Sequence, residues 1–150
     1  MPHIHEKIDF TVEVFIVHKN KVLLRMHDKY NIWLSVGGHV ELDEDPNQAA
    51  IREVKEEVGL DIELVGNRNE MLDNKEYKEL VPPRFLNIHS VSPTHRHITL
   101  YYFATTDSDQ VTPEKQGDKW RWVTKDGLQE MDLQPNVRFH AKKALEELGG

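Results

Sequence analysis

The stretch from Gly37 to Leu60, GGHVELDEDPNQAAIREVKEEVGL, constrains the fold more than any other part of the sequence. It predicts one helix, because Asp45 can accept hydrogen bonds from exposed backbone N–H groups, Pro46 suits the first helical position and Gln48 can complete a capping box. Gly59 is the matching helix end. Helical spacing predicts that one face of this helix packs on a core, and the residues of that face are Ala50, Ile51, Val54 and Val58.

Three carboxylates, those of Glu53, Glu56 and Glu57, fall within an arc of about 100° on this helix and can point at one spot. Like charges three and four positions apart destabilise a helix by about 0.2 to 0.5 kcal/mol per pair, and by more where water is partly excluded. A bound cation would reverse the sign of this effect. The alternative is a solvated acidic face, helped by Arg52 and Lys55, which is the commoner situation for an isolated cluster.

The donor groups of the cluster indicate which cation would bind. The cluster offers oxygen ligands without histidine, and the sequence has no cysteine. Hard oxygen ligands select Mg²⁺, Mn²⁺ or Ca²⁺ over zinc, and Mg²⁺ favours a few carboxylates together with waters and substrate phosphates. The helix therefore favours a site for Mg²⁺ (or Mn²⁺) at which a phosphate-bearing substrate also binds.

The glutamates belong to a longer pattern. From Gly38 the sequence reads G-x5-E-x7-R-E-V-x-E-E-x-G-L, which meets every fixed position of the Nudix signature, and the chain resembles a Nudix hydrolase. The segments WLSVGGHVE before the helix and KWRWVT after it resemble flanking strands of the same family, so the resemblance covers most of the chain. The matched positions are Gly38, Glu44, Arg52, Glu53, Val54, Glu56, Glu57, Gly59 and Leu60.

The resemblance implies a fold and a reaction. The fold class is α/β, a Nudix-type α/β/α sandwich with a mixed β-sheet between helices, and residues 1–150 are expected to form a single Nudix hydrolase domain. The reaction implied is divalent-metal-dependent hydrolysis of a nucleoside diphosphate linked to another moiety. Nucleoside triphosphates, nucleotide sugars, ADP-ribose and similar compounds are all within this range, since loops outside the signature set specificity.

The resemblance also implies roles for the residues of the signature. Glu56 and Glu57 would be the principal metal ligands, and Glu53 a further ligand or the group that orients or deprotonates water. Arg52, one turn from Glu56, would hold the carboxylates in place, so that the implied catalytic set is Glu53, Glu57 and Arg52. A backbone carbonyl at Gly38 would add a metal ligand, and Glu44 at the next signature position would support the loop.

The rest of the sequence predicts the strands and the second helix that surround this helix. Apolar and β-branched runs predict several strands, and the polar segment Gly66–Arg84 predicts an excursion within the domain. The order of elements implies a mixed sheet covered by helices on both faces. The predicted strands are Thr11–Val17, Val22–Met26, Trp33–Ser35, Ile62–Val65, Phe85–Val91, Ile98–Thr105 and Lys119–Val123, and the last helix is Asn136–Leu148, with Val137, Ala141, Ala144, Leu145 and Leu148 inward.

Residues outside the signature give weaker indications of substrate binding. Arg25 and Arg84 are candidates for pairing with phosphate, and Trp33 for stacking on a base, although a core position explains Trp33 more simply. His39 follows the glycine pair and is interpreted as an exposed strand residue close to substrate. His95 and His97 suggest two imidazoles on one strand face, but without a third ligand at metal spacing we interpret them as surface residues.

Many members of the family use an additional acid from a later loop as ligand or base. The candidates in this sequence are Glu114 and Asp118, in the segment TPEKQGDKW, and Glu79 in the polar excursion. None of the three has a motif around it, so a solvated loop position is the simpler interpretation for each.

Charge and composition limit the partners. Nineteen basic and 26 acidic residues give a net charge of −7, the wrong sign for long nucleic acid, whereas a small nucleotide or other diphosphate bridged by a cation still fits. The absence of cysteine suits a cytoplasmic location. The longest apolar run, Leu100 to Ala104, is too short for a membrane span, and the start MPHIHEKIDF lacks the order of a secretory signal. A homodimer remains open.

Three other functions compete with hydrolysis. A catalytically silent Nudix-like nucleotide-binding or regulatory module would be expected to have lost signature glutamates, and this chain retains them. The isopentenyl diphosphate isomerase branch implies a catalytic cysteine, which is missing here. Calcium buffering would suit an acidic helix, but the sequence has no EF-hand loop.

Overall fold

The computed structural model describes residues 7–27 and 29–150. Residues 1–6, where the sequence predicts no secretory signal, and Asp28 lie outside the described residues. Within the two ranges the strands are β1 (Ile8–His18), β2 (Lys21–His27), β3 (Ile32–Leu34), β4 (Val36–His39), β5 (Glu63–Leu64), β6 (Phe85–Ser92), β7 (His95–Thr105) and β8 (Trp120–Val123). The helices are α1 (Pro46–Val58), α2 (Lys125–Glu130) and α3 (Pro135–Leu148), with a 3-10 turn at Glu70–Leu72.

β1 is the central strand of the sheet, and its β-branched and aromatic residues are buried along most of its length, as expected for a strand covered on both faces. It pairs in parallel with β7, in a register that runs from Ile8 opposite Arg96 to Val17 opposite Thr105. The remaining strand pairs are antiparallel. The order is β3-β2-β1-β7-β5, with β4 also on β1, β6 also on β7 and β8 also on β2. The predicted mixed sheet is confirmed.

Alternation along β1 separates the core into two layers, one on each face of the sheet. Val12, Val14 and Ile16 pack with α1, whereas Phe15 and Val17 pack with α3. The sheet therefore lies between helices, as the α/β/α sandwich requires. The α3 residues that the periodicity placed inward are buried or packed against the core: Val137, Ala141, Ala144, Leu145 and Leu148.

The predicted start and end of α1 are both present. The Asp45 carboxylate accepts a hydrogen bond from the backbone N–H of Gln48 at 2.8 Å, and the Gln48 side chain accepts from the Asp45 N–H at 2.9 Å. Gly59 ends the helix with φ 70° and ψ 18°. The predicted buried face is wrong at Ile51, which is 47% exposed, while Ala49 is fully buried. The buried face of α1 is therefore rotated toward the glutamates relative to the prediction, and it includes Glu53.

Two short elements differ from the prediction. The expected strand around residues 33–35 is divided at Ser35 into β3 and β4, so that the glycine pair lies within a strand. α2 was missed because a glycine lies inside a six-residue helix, yet Thr124 caps it by accepting from the Gly127 N–H at 3.1 Å, and Leu128 is buried. No helix in the described part of the chain is long and apolar enough to cross a membrane.

The polar excursion, residues 66–84, contains no assigned strand and is held mainly by side chains. Arg68 forms ion pairs with Glu70 at 2.7 Å and Asp73 at 2.5 Å. Asn47 of α1 accepts from the N–H of Val81 at 2.8 Å and donates to its carbonyl at 2.9 Å. These contacts fix the excursion beside the start of α1.

The end of α1 provides a test of packing. Gly59 and Gly117 both have positive φ, 70° and 92°, but a Cβ at Gly59 would lie 2.8 Å from Thr112 Cβ, whereas a Cβ at Gly117 would meet nothing within 4 Å. Both alanine variants should lose about 1 kcal/mol for the left-handed backbone. Gly59→Ala should lose a further 1 to 2 kcal/mol, approximately, through overpacking. Denaturant unfolding measures both, and equal losses would contradict the packing account.

Candidate active site

The site forms where β1 exchanges one neighbour for another. Val17 and His18 of β1 pair with β2, while residues 11–14 of the same edge pair with β4. A small cavity lies at this division and is lined by residues of β1, β2, β4 and α1. The division lets side chains from the two sides of the sheet meet. The polar residues that meet there are Glu13, Arg25, His27, Ser35 and Glu57.

Glu57 is the signature carboxylate that reaches this cavity. Arg25 Nη1 donates to Glu57 Oε2 at 2.7 Å, and the Gly37 N–H donates to Glu57 Oε1 at 3.0 Å. Burial nevertheless raises the pKa of Glu57 to about 8, with Glu53 and Glu13 adding repulsion that Arg25 opposes. The carboxylate is therefore short of positive charge.

Glu13 is a site residue that sequence reasoning missed. It points into the same cavity, where Ser35 Oγ donates to Glu13 Oε2 at 2.5 Å. Burial raises its pKa to about 7, against the Ser35 hydrogen bond, and Glu53 adds repulsion. The signal in the sequence was a lone acid in the apolar run TVEVFIV, an expensive residue to place in a central strand. Gly37 makes room for it, since a Cβ there would lie 2.8 Å from Glu13 Cδ.

Arg52 joins the signature loop to the helix. Its guanidinium donates to both oxygens of Glu44, at 2.9 and 2.7 Å, and to the carbonyl of His39 at 3.0 Å. Nη1 also donates to Glu53 at 2.9 Å and to Glu56 at 3.2 Å. The hydrogen bond to Glu44 is the main cause that raises the pKa of Arg52, and the same bond lowers the pKa of Glu44. The fork thus orients three carboxylates at once.

Glu53 and Glu56 differ in exposure. Glu53 is 9% exposed, and burial raises the pKa of its carboxyl against the hydrogen bond from Arg52. It lies against Gly38, where a Cβ would come 2.4 Å from the Glu53 carboxyl carbon. This contact explains why glycine is required at Gly38. The Glu56 side chain is 51% exposed.

The three helix carboxylates do not converge as closely as the sequence suggested. Among the described residues, the group of three whose ligating atoms all lie within 4.8 Å of one another is Asp9, His95 and His97, not the glutamates. The reason is that Arg52 holds Glu53 and Glu56 while Arg25 and the Gly37 N–H hold Glu57.

The glutamates still fit a divalent cation. Glu53 and Glu57 are largely buried carboxylates whose pKa values are raised by burial and by repulsion from neighbouring carboxylates, and the half-exposed Glu56 adds a third oxygen donor. An ion with two positive charges would remove this repulsion. Mg²⁺ needs only one or two carboxylates when waters and phosphates complete its shell. The donor set and its charge therefore suit Mg²⁺ or Mn²⁺.

The additional acids predicted in loops lie in different places. Asp118 accepts from the Lys115 N–H at 2.9 Å and from Arg25 at 3.3 Å, and these contacts lower the pKa of Asp118. Glu114 lies 3.9 Å from Arg25, and its N–H donates to the Glu57 carbonyl at 3.1 Å. Both are beside the carboxylates. Glu79 instead accepts from Tyr77 at 2.7 Å on the exposed excursion, outside the cavity lining.

The four substrate-binding candidates also separate. Arg25 and His39 line the main cavity, although Arg25 is already bound to Glu57 and Asp118. Trp33 packs against the core under α3 and lines a separate surface depression. Arg84 forms a bidentate ion pair with Glu147 on the outer surface. The structure therefore brings two of the four candidates to the site.

The main cavity, of about 600 Å³, extends from Glu13 and Glu57 across the face of the sheet that carries α3. Its wall is aromatic and amide-rich: the Tyr101 and His140 rings lie 4.4 Å apart, and Asn87 Nδ2 donates to Tyr101 Oη at 3.2 Å. Burial lowers the pKa of His140, so its imidazole is neutral near pH 7. Such a wall suits a flat heterocycle.

The interpretation of the histidines as surface residues is wrong. His95 is 7% exposed and His39 is half-buried, and both contact Asp9, which is 1% exposed. The Nε2 atoms of His39, His95 and His97 lie 3.1, 3.0 and 3.1 Å from Asp9 carboxylate oxygens. Asp9 could not be identified from the sequence as the partner of these histidines, because it is on β1, 86 residues before His95.

Comparison with known proteins identifies the family that this chain resembles over most of its length. The profile of the NUDIX domain matches residues 9–148. A dihydroneopterin triphosphate diphosphatase from Haemophilus influenzae is 31% identical over 137 residues, which cover 89% of this chain and 84% of that protein. This match extends well beyond the signature.

Solved structures show the same relationship. A NUDIX-family hydrolase from Clostridium perfringens is 40% identical, with a TM-score of 0.85 over 93% of this chain and 97% of that one. A MutT NUDIX hydrolase from Burkholderia pseudomallei shares the fold at 20% identity, with a TM-score of 0.66 over 95% and 99% of the two chains. Because the domain profile covers nearly the whole chain and these relatives are a diphosphatase and hydrolases, the protein belongs to the Nudix family and is a hydrolase.

Proposed function

We propose that this protein is a divalent-metal-dependent pyrophosphohydrolase that cleaves a nucleoside diphosphate linked to another moiety. The observation that carries the proposal is the pair of largely buried carboxylates, Glu13 and Glu57, whose pKa values are raised at one end of a cavity of about 600 Å³, with Glu53, whose pKa is also raised, one turn of α1 from Glu57. A protein keeps such repulsion where a cation and a polyanionic substrate bind.

The proposed metal ligands are Glu53, Glu56, Glu57 and the backbone carbonyl of Gly38. When bound, Mg²⁺ or Mn²⁺ would neutralise phosphate oxygens, lower the pKa of a water and stabilise charge on the leaving phosphate. Arg52 is a positioning residue in this proposal, because it touches the ligands and not the reacting atoms. Its bonds to Glu44 and to the His39 carbonyl fix the guanidinium before substrate arrives.

A side chain of the protein accepts the proton that the attacking water loses. A water attacks phosphorus and forms a new P–O bond, the anhydride P–O bond breaks, and the carboxylate of Glu53 or Glu57 accepts the proton of the water. The two products are phosphates. Burial and the neighbouring carboxylates raise the pKa of Glu57 in the metal-free protein, and a bound dication would favour its deprotonated form, the form that can accept the proton.

The cavity favours a substrate that carries a heterocycle as well as phosphates. Two aromatic rings and an amide, those of Tyr101, His140 and Asn87, line the cavity together with the carboxylates. The Haemophilus influenzae relative is a dihydroneopterin triphosphate diphosphatase, so dihydroneopterin triphosphate joins nucleoside triphosphates, nucleotide sugars and ADP-ribose as substrates to test. The net charge of −7 favours such small nucleotides over long nucleic acid, and the absence of cysteine favours a cytoplasmic enzyme.

A phosphate-release screen over these compounds with Mg²⁺ or Mn²⁺ tests the proposal. Wild-type protein should turn over at least one class, and Glu57→Gln should lower kcat by at least about 100-fold while keeping the fold. Glu147→Gln is the matched control, since Glu147 is bound by Arg84 and does not line the cavity, and it should keep wild-type turnover. Wild-type rates in Glu57→Gln would exclude its assigned role.

The same screen separates the alternative function. A catalytically silent nucleotide-binding or regulatory module would bind a nucleotide, measured by calorimetry, without releasing phosphate from it. If no compound in the panel releases phosphate and a nucleotide nevertheless binds tightly, the binding function replaces hydrolysis.

Replacing Arg52 by lysine tests the positioning role. The variant keeps the positive charge but loses the fork that reaches Glu44, Glu53 and Glu56 together. We expect kcat to fall about 10- to 100-fold and the Mg²⁺ concentration for half-maximal activity to rise, with nucleotide KM nearly unchanged. A change confined to nucleotide KM would place Arg52 in substrate binding.

The raised pKa values predict how stability depends on pH in metal-free protein. Glu13 and Glu57 titrate at about 7 and about 8 in the folded state, against 4.5 ordinarily, so the folded state binds more protons than the unfolded state. The free energy of unfolding should therefore fall as pH rises through roughly 7 to 8.5, a range above the lowered pKa values of His97 and His140.

Denaturant titrations in chelator measure this dependence. Glu57→Gln should make the decline shallower, and excess Mg²⁺ should remove it, because the ion binds the deprotonated carboxylates. Stability that increases with pH over this range in the metal-free protein would contradict the assignment of raised pKa values.

A further inference from the structure

We propose that Asp9, His95 and His97, with His39 beside them, form a second metal site, which takes a divalent transition-metal ion such as Zn²⁺ and is separate from the carboxylate site. The proposal does not depend on the substrate or on the hydrolytic mechanism. It rests on the convergence of three imidazoles on one buried carboxylate at the end of the main cavity.

The register of the sheet produces this convergence. Asp9 on β1 lies directly opposite His97 on β7, and His95 lies two residues from His97 on the same strand, so their side chains share a face. β4 brings in the fourth residue, since His39 is opposite Thr11, two positions along β1 from Asp9. Three neighbouring strands therefore each contribute to the cluster.

The distances are those expected between ligands of one ion. Asp9 Oδ1 lies 3.0 Å from His95 Nε2 and 3.1 Å from His97 Nε2, and Asp9 Oδ2 lies 3.1 Å from His39 Nε2. Metal–nitrogen and metal–oxygen bonds of about 2.0 to 2.2 Å place neighbouring ligand atoms roughly 3.0 to 3.4 Å apart. Asp9, His95 and His97 each offer one atom, and all three atoms lie within 4.8 Å of one another.

Burial supports the same conclusion. Asp9 is 1% exposed and His95 is 7% exposed, so the carboxylate and the imidazole are both held away from water. A buried carboxylate requires a compensating charge or a full set of hydrogen bonds. A dication supplies the charge. A network in which Asp9 only accepts hydrogen bonds from the imidazoles is the competing arrangement, and the experiment below distinguishes the two.

The donors select a different ion from the one proposed for the glutamates. Two imidazole nitrogens and one carboxylate oxygen suit zinc and its first-row neighbours, whereas the all-oxygen site suits Mg²⁺. Asp9 is four residues from Glu13, a separation of about 13 Å along a strand, so one ion cannot serve both groups. His39 and His97 line the main cavity, which places the ion in its wall.

Zinc binding to the untagged, chelator-stripped wild-type protein is the first test. We expect one Zn²⁺ per chain to remain after gel filtration in excess Mg²⁺, measured by elemental analysis. Co²⁺ bound in its place should give the visible absorption of a nitrogen- and oxygen-ligated ion. Wild-type protein that retains no zinc would overturn the proposal and leave the hydrogen-bonded network.

Variants then locate the ion. Asp9→Asn and His97→Gln should weaken zinc binding by at least about 100-fold with circular dichroism unchanged. His89→Gln is the matched control: its ring lies 5.8 Å from that of His97 in the same cavity, yet its expected zinc stoichiometry is that of wild type. Unaltered zinc affinity in both Asp9→Asn and His97→Gln would contradict the site.

Two further variants exclude other sources of zinc. The double variant His3→Gln/His5→Gln removes the histidines near the start of the sequence and should retain one Zn²⁺ per chain. Zinc lost in that variant and kept in Asp9→Asn would overturn the proposal. Glu57→Gln should also keep its zinc, so the outcome is independent of whether the carboxylate site supports hydrolysis.

Discussion

Arg52 and Arg25 bind the carboxylates that gather where β2 and β4 share the edge of β1. Without these two cations, burial and like-charge repulsion would drive the glutamates toward water and open the contact between α1 and the sheet. Two arginines orient the group without neutralising it, because Glu13 and Glu57 keep pKa values of about 7 and about 8. A divalent ion bound there would stabilise the deprotonated form of both carboxylates.

The part of the site that the sequence predicts is the part that lies within one helix. The spacing of Glu53, Glu56 and Glu57 fixes their common side on α1, and the capping box at Asp45 fixes where that helix begins. Helix geometry connects residues three and four positions apart, so a local pattern suffices. The mixed sheet was equally accessible, because alternation along β1 records which residues face each layer.

The remaining contacts depend on strand register, which no local pattern encodes. Asp9 meets His95 and His97 only because β1 and β7 pair in parallel with Asp9 opposite His97. A shift of one residue would turn Asp9 to the other face of the sheet. The same limit applied to the arginines: Arg25 and Arg84 looked alike in sequence, yet one reaches Glu57 and the other reaches Glu147 on the outer surface.

The alternation of β1 also explains why the two proposed sites share one cavity. Asp9, Thr11 and Glu13 follow each other on one face of the strand, and Thr11 is hydrogen-bonded to Thr99 of β7 at 2.7 Å between the two acids. This spacing holds the acids apart on a rigid central strand. A substrate in the cavity would therefore meet oxygen donors at the Glu13 end and imidazoles at the His97 end, and the two ends differ in the groups they can bind.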